Sequence, residues 1–220
     1  IEKNTPFIQI IFSPLSTARK LAGDRLFDDM KEDPKIIHQA LEVITETTIN
    51  FIKANIEAGV SGFFFATQCS TYDVMNDEDH KEFGEKYDLK LFDAFKDSTY
   101  FNVVHIHGSN IMFDTIEKYP ANCLNWHDRH TEPSFEEARK KSSKCFLGGV
   151  REVPYFVDGV LRYNSIMADS SSEEIEKHVL EAIEQVNGKS LMIGPGCVTD
   201  PRTSEENLHA VRKAVELWKK

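Results

Sequence analysis

The stretch PKIIHQALEVITETTINFIKANIEAGVSGFFFA, residues 34–66, holds a long amphipathic helix and the strand it feeds. Ile37, Leu41, Ile44, Thr48, Phe51, Ile52 and Ile56 recur at three- and four-residue spacing, the period of a helix face turned to a core. That spacing predicts a helix over Pro34–Ala58. Val60–Ala66 (VSGFFFA) follows as a short, mostly apolar run without clean alternation, which suits a parallel strand covered by helices. The pairing recurs along the chain. Further β-rich runs lie at Phe7–Phe12, Phe101–His107, Asn122–Trp126, Lys144–Val150 and Ser190–Gly194. Helical periodicity marks Asp77–Lys96, Ser172–Val186 and Ser204–Lys220. Ser171 or Ser172, three residues before Glu174 or Ile175, predicts a capping box, and the acidic clusters Asp77–Asp79 and Glu173–Glu176 read as helix first turns. Strand–helix alternation of this kind means α/β architecture. Six β–α units fit either an open doubly wound sheet or part of a (β/α)8 barrel, which needs eight units and about 250 residues. The count alone does not decide.

The 220 residues make one large domain or two small ones, and no linker, repeat or low-complexity tract divides them. With 26 basic and 36 acidic side chains the net charge is −10, and such a field repels polyanions. Nucleic acid is therefore a poor partner. No apolar run reaches the roughly 18 residues of a membrane span. Cys69, Cys123, Cys145 and Cys197 are widely spaced with no CxxC, the pattern of reduced, cytoplasmic thiols. Cys123 and Cys145, inside apolar runs, read as small core residues. The first residue is Ile1 rather than Met, and polar IEKNT leads straight into a strand, so an N-terminal part of the domain is expected to be missing. No GxGxxG follows the first strand and no GxxxxGK[ST] occurs, which removes the nucleotide-binding signatures.

In α/β folds reactive residues gather at the C-terminal ends of strands. The third run ends His105-Ile106-His107-Gly108, and residues two apart on a strand share a face. The sixth ends Gly194-Pro195-Gly196-Cys197, where the glycines and proline turn the chain and present a thiol. Two imidazoles and a thiolate make a three-ligand zinc site with an open fourth position. Two partly buried histidines and an inert cysteine satisfy the same spacing. Thr67, Gln68, Cys69 and Ser70 would line a pocket, offer reserve ligands, or cap the next helix through Ser70 or Thr71. In Asn125-Trp126-His127-Asp128, Trp126 would wall the site, and His127 reads as a solvated loop histidine or a further ligand. Ser13-Pro14-Leu15-Ser16 gives a turn with two hydroxyls.

The order of these segments resembles a known family. A strand ending in SP, then IEAGVSGFFFATQ, VVHIHG, LNW, FLGGV and IGPGC, with SEENLHAV opening the last helix, is similar over essentially the whole chain to the uroporphyrinogen decarboxylase (URO-D) superfamily. The resemblance implies a (β/α)8 TIM barrel, with about six β–α units present here as one N-terminally incomplete domain over residues 1–220. It divides into decarboxylases and zinc-dependent methyltransferases that act on corrinoid-bound methyl groups. The methyltransferase branch holds zinc through His-x-Cys at one strand end and a cysteine in a PGC segment. His105 and Cys197 match, and His107 stands where the first cysteine would be. That exchange keeps a ligand, raises the site charge by one and makes the zinc a stronger Lewis acid. The resemblance implies Zn2+ on His105, His107 and Cys197, a thiol cosubstrate, a corrinoid carried by a partner protein, and Gln68 and Asn125 orienting the substrate. The decarboxylase pattern puts a histidine near Cys197 and a tyrosine near Lys20, and neither is present. A decarboxylase would need cations for the carboxylates of a tetrapyrrole, and Arg19, Arg129 and Arg151 lie near strand ends. A non-catalytic barrel that binds a tetrapyrrole or a partner is the third reading. Exposed strand edges would favour a homo-oligomer.

Overall fold

The computed structural model describes residues 5–151, 153, 155–157 and 160–218. Two compact units divide the chain: Ile1–His107 with Lys118–Asn122, and Gly108–Glu117 with Cys123–Lys220.

In the first unit β1 (Ile8–Phe12) leads into α1 (Pro14–Ala22), α2 (Arg25–Glu32) and α3 (Pro34–Glu57). β2 (Gly62–Thr67) is followed by α4 (Asp77–Asp79), a π-helical stretch His80–Glu85, α5 (Lys86–Phe95) and β3 (Val103–Ile106). β1, β2 and β3 pair in parallel, with Phe12 opposite Ala66 and Ala66 opposite His105. Phe63 and Phe65 turn away from that face and pack on α5, at 4.8 Å from Phe95 and 4.9 Å from Phe92 between ring centroids. Each large aromatic buried in this way contributes about 2–3 kcal/mol, which makes the cluster the anchor of the sheet.

Residues 34–57 are helical as the spacing predicts, and Ile37, Leu41, Thr45 and Ile52 form the buried stripe. Phe51 is a correction, since it is 47% exposed. It lies about 100° around the helix from Ile52, beyond the edge of the stripe. The expected turn at Ser13–Ser16 is instead the start of α1. Ser13 is its N-cap, accepting from the Ser16 N–H at 3.1 Å, with Pro14 in the first turn. Nor do Ser70 and Thr71 cap the helix after β2; Asn76 does, accepting from the Asp79 N–H at 2.8 Å.

The second unit holds α6 (Phe113–Ile116), β4 (Cys123–Trp126), α7 (Phe135–Lys141) and β5 (Cys145–Val150). A short hairpin follows, β6 (Tyr155–Val157) and β7 (Val160–Arg162), and then α8 (Ile166–Asp169), α9 (Ser172–Glu184), β8 (Leu191–Pro195) and α10 (Glu205–Leu217). β4, β5 and β8 are parallel, with Cys123 opposite Cys145 and Val150 opposite Pro195. Ser171 caps α9 and Glu174 closes the box, as predicted. Val150, Met167, Ile175, Val179, Ile183, Ala210 and Ala214 make the core between the strands and the last two helices. The chain thus contains six β–α units of the α/β class among the described residues. No helix among them is long and apolar enough to cross a membrane.

Candidate functional site

β3 brings His105 to its last turn of pleat and His107 just past it. Alternation puts both imidazoles on one face and Ile106, fully buried, on the other. The two rings lie 5.8 Å apart between centroids, and a ring nitrogen of each comes within 4.8 Å of the other. His105 is 5% exposed and stacks on Phe64 at 5.6 Å. The His107 N–H donates to the Thr67 carbonyl at 3.0 Å, which holds the residue to the end of β2.

The end of β2 is braced from behind. Thr67 Oγ1 and Ser70 Oγ are 2.5 Å apart, and Ser70 Oγ meets His80 Nε2 at 2.8 Å. All three residues are buried, and burial pushes His80 down to about 4, so this ring is neutral. The ring lies at the start of the π-helical stretch, whose Gly84 leaves room for it, because a Cβ there would come within 3.0 Å of His80 Cδ2. Gln68 is half-buried and its N–H donates to Ser16 Oγ at 2.7 Å, so the two hydroxyls of α1 fix this loop. Cys69 is not a reserve ligand. It is buried, and burial pushes its thiol up to about 11.

In the second unit β4 ends at Trp126 and His127 follows. His127 is 8% exposed, and one of its ring nitrogens lies within 4.8 Å of Cys197 Sγ. The expectation of a solvated loop histidine is therefore corrected. The N–H groups of His130 and Thr131 both donate to the His127 carbonyl, at 3.1 and 2.8 Å, which closes a turn directly after the histidine. Cys197 is half-buried and follows Gly196, whose N–H donates to the Val150 carbonyl at 3.1 Å. Trp126 does not wall a site. Strand alternation turns it to the opposite face from Asn125 and His127, among Phe113, Phe135 and Phe146, with its Nε1–H donating to the Pro133 carbonyl at 2.8 Å.

Asn125 Nδ2 donates to the Leu147 carbonyl at 2.7 Å and the Pro195 carbonyl at 3.1 Å. Both amide hydrogens are thus spent on tying β4 to β5 and β8. Asp128 accounts for the first glycine of FLGGV, Gly148, whereas Gly149 has a φ of +93°. Both carboxylate oxygens accept from the Gly149 N–H at 3.1 Å, and a Cβ on Gly148 would lie 2.3 Å from one of them. Nothing in the sequence assigned Asp128 a role, and the Ser16 hydroxyl, expected in a turn, lies in α1 instead. Their only signal was position, next to a strand end.

Two of the three arginines proposed for carboxylate binding, Arg19 and Arg129, have their guanidinium groups occupied. Arg19 pairs with Asp24 at 2.7 Å. Arg129 turns to α9, where it meets His178 Nδ1 at 3.0 Å and Glu181 at 3.4 Å. The backbone N–H of Arg151 donates to His178 Nε2 at 3.2 Å. Burial, then the two arginine charges, push His178 down to about 3.

Comparison with known proteins places these features. The family model described as uroporphyrinogen decarboxylase (URO-D) matches residues 1–218. Two relatives are named methylcobamide:CoM methyltransferase MtbA. That of Methanosarcina acetivorans is 24% identical over 217 residues, covering 99% of this chain and 60% of its own length. That of Methanosarcina mazei is 25% identical over 183 residues, covering 82% and 50%. The chain thus spans 60% or less of the length of these relatives. Among solved structures, a methyltransferase from Methanosarcina mazei superposes with a TM-score of 0.79 at 20% identity, over 98% of this chain and 60% of that one. A putative vitamin-B12 independent methionine synthase from Listeria monocytogenes gives 0.60 at 12% identity, over 99% and 66%. The fold is of the (β/α)8 barrel type expected from the resemblance, with six of its units in this chain. By the match of its family model over almost every residue, the chain belongs to the uroporphyrinogen decarboxylase (URO-D) family.

Proposed function

We propose that this chain carries the metal-binding part of a methyltransferase that moves a methyl group from a corrinoid to a thiol. His105, His107 and Cys197 are the proposed ligands of one zinc ion, with His127 as a fourth donor or as a partner that orients Cys197. The observation that carries this reading is the pair of donor sets, His105 with His107 and His127 with Cys197, each with ligand atoms within 4.8 Å. Imidazole and thiolate are the donor types zinc takes, at about 2.0–2.3 Å, so each pair needs only a small closure to share an ion. The names of the two MtbA relatives supply the reaction class.

Bound zinc would supply a Lewis acid that holds a thiol as its thiolate at neutral pH. The protein side of the work falls to residues already placed. Phe64 stacks on His105 and limits its rotation. The Thr67–Ser70–His80 chain holds the strand end that fixes His107. Gln68 lies at that strand end, where its side chain would orient the substrate, and Asn125 would do so indirectly by holding three strand ends in place. The corrinoid is carried by a partner protein in this reading, and the protein works among cytoplasmic, reduced thiols.

Zinc content decides the first part. After incubation with zinc and desalting, the wild type is expected to hold about one ion per chain, and Cys197→Ala and His105→Ala far less, with affinity lower by about 10–100-fold or more. Wild-type protein without zinc, or Cys197→Ala with as much as the wild type, would overturn the metal site. Demethylation of methylcobalamin in the presence of CoM, followed by its absorbance change, tests the reaction class.

A further inference from the structure

A second group of thiols lies at the other end of the same strands. Cys123 opens β4 and Cys145 opens β5, and the two are opposite each other in the parallel ladder. Paired strands lie about 4.8 Å apart, inside the 4.4–6.8 Å range of Cα separations that a disulfide spans. Each thiol donates to the carbonyl of the next residue, Cys123 to Leu124 at 3.8 Å and Cys145 to Phe146 at 3.6 Å. Cys123 sits four residues before His127 along β4, about 13 Å at the rise of a strand, and Cys145 lies beside it on β5, so the pair belongs to a different place from the proposed ligands.

The surroundings of the two sulfurs differ. Cys123 is fully buried, whereas Cys145 is half-buried. Arg139 lies over the Phe146 ring at 3.9 Å, and its NH groups donate to the carbonyls of Ser142, Lys144, Lys189 and Ser190. These partners are neutral, and its Nε is buried with no hydrogen-bond partner, so the guanidinium charge is left to favour an anion close by. The neighbouring Cys123 thiol, and then the Arg139 charge, bring Cys145 down to about 7 against the opposing pull of burial. The neighbouring Cys145 thiol and burial push Cys123 upward. One thiol is thus half-buried beside a guanidinium, and its neighbour is enclosed.

We propose that Cys123 and Cys145 form a reversible dithiol–disulfide site that reacts with low-molecular-weight disulfides. The Cys145 thiolate attacks one sulfur of the small disulfide, whose S–S bond breaks and releases one thiolate. The Cys123 thiol then attacks the Cys145 sulfur, its proton passing to the second small thiolate as that group is displaced and leaves as a thiol. The two protein thiols are oxidised, and the small disulfide is reduced to two thiols. Parallel neighbours hold their Cβ atoms farther apart than an unstrained disulfide prefers, so the bond formed is readily reduced again. The site is independent of the proposed methyl transfer.

The test uses the whole chain, reduced and freed of reductant, incubated with oxidised glutathione and then blocked with iodoacetamide. Peptide mapping by mass spectrometry is expected to find residues 123 and 145 joined, the protein lighter by two hydrogens, with dithiothreitol restoring both thiols. Cys123→Ser is expected to stop at a glutathione adduct on Cys145. Two alkylated thiols at 123 and 145 in the wild type after oxidation, or a cross-link that joins either one to Cys69 instead, would overturn the proposal. The wild-type map decides this even if the variant does not fold.

Discussion

Asp88 is fully buried in the first unit, where it accepts from the Tyr119 hydroxyl at 3.0 Å through one oxygen and has no hydrogen-bond partner on the other. Burial pushes its carboxyl up to about 8, against the smaller opposing effect of Tyr119. The folded state therefore holds a proton that the unfolded chain gives up near pH 3.8. Across that window the folded state binds one more proton, so stability falls as pH rises from about 4 to about 8. Asp88→Asn keeps the acceptor and removes the titration. Its stability, followed by thermal melting, is expected to vary less with pH and to exceed that of the wild type above pH 8, by an amount on the order of a few kcal/mol. Parallel pH curves for the two proteins would show that the carboxyl is ionised in the fold. His80 and His178 act in the opposite sense. Burial lowers both, to about 4 and about 3, so the unfolded chain takes up protons first, and stability falls as pH drops below 6.5.

Each element tolerates change according to what its backbone touches. β2 begins at Gly62, where a Cβ would lie 1.6 Å from the Phe101 carbonyl oxygen. Backbone cannot step aside as a side chain can, so Gly62→Ala is expected to cost about 3 kcal/mol, read as a loss of roughly 6–12 °C in melting temperature. A variant within 2 °C of the wild type, about the shift of half a kcal/mol, would show that the strand relaxes. Ser171→Ala removes the cap of α9 and is expected to cost about 1 kcal/mol. The helices with strong caps and the apolar strands were legible in the sequence for this reason, since Ser171, Glu174 and Ser204 act within four residues of themselves. α1 and the β6–β7 hairpin were not. Ser13-Pro14 marks a helix start as readily as a turn, and the hairpin strands are only three residues each.

For the whole molecule, a ligand bound only by the folded chain stabilises it by mass action. If zinc binds as proposed, free zinc at 100 times its dissociation constant adds about 2.7 kcal/mol, which is roughly 5–10 °C in melting temperature for a chain of this length. Chelation is expected to reverse the gain, and Cys197→Ala to abolish it. A melting temperature indifferent to zinc and chelator would leave the histidines and cysteine as packing.

The α/β class and the positions of most strands and long helices were determined by the sequence alone, because apolar periodicity and caps act over a few residues. The face shared by His105 and His107 was determined in the same way, since alternation along one strand is a local rule. The tertiary structure decided which polar residues the scaffold consumes. Asn125 spends both amide hydrogens on carbonyls 22 and 70 residues away, and Arg129 turns to residues 49 and 52 positions along. It also decided the burial of His127, its approach to Cys197 and the meeting of Cys123 with Cys145. These contacts join residues far apart in the chain, and no pattern within a single segment carries them.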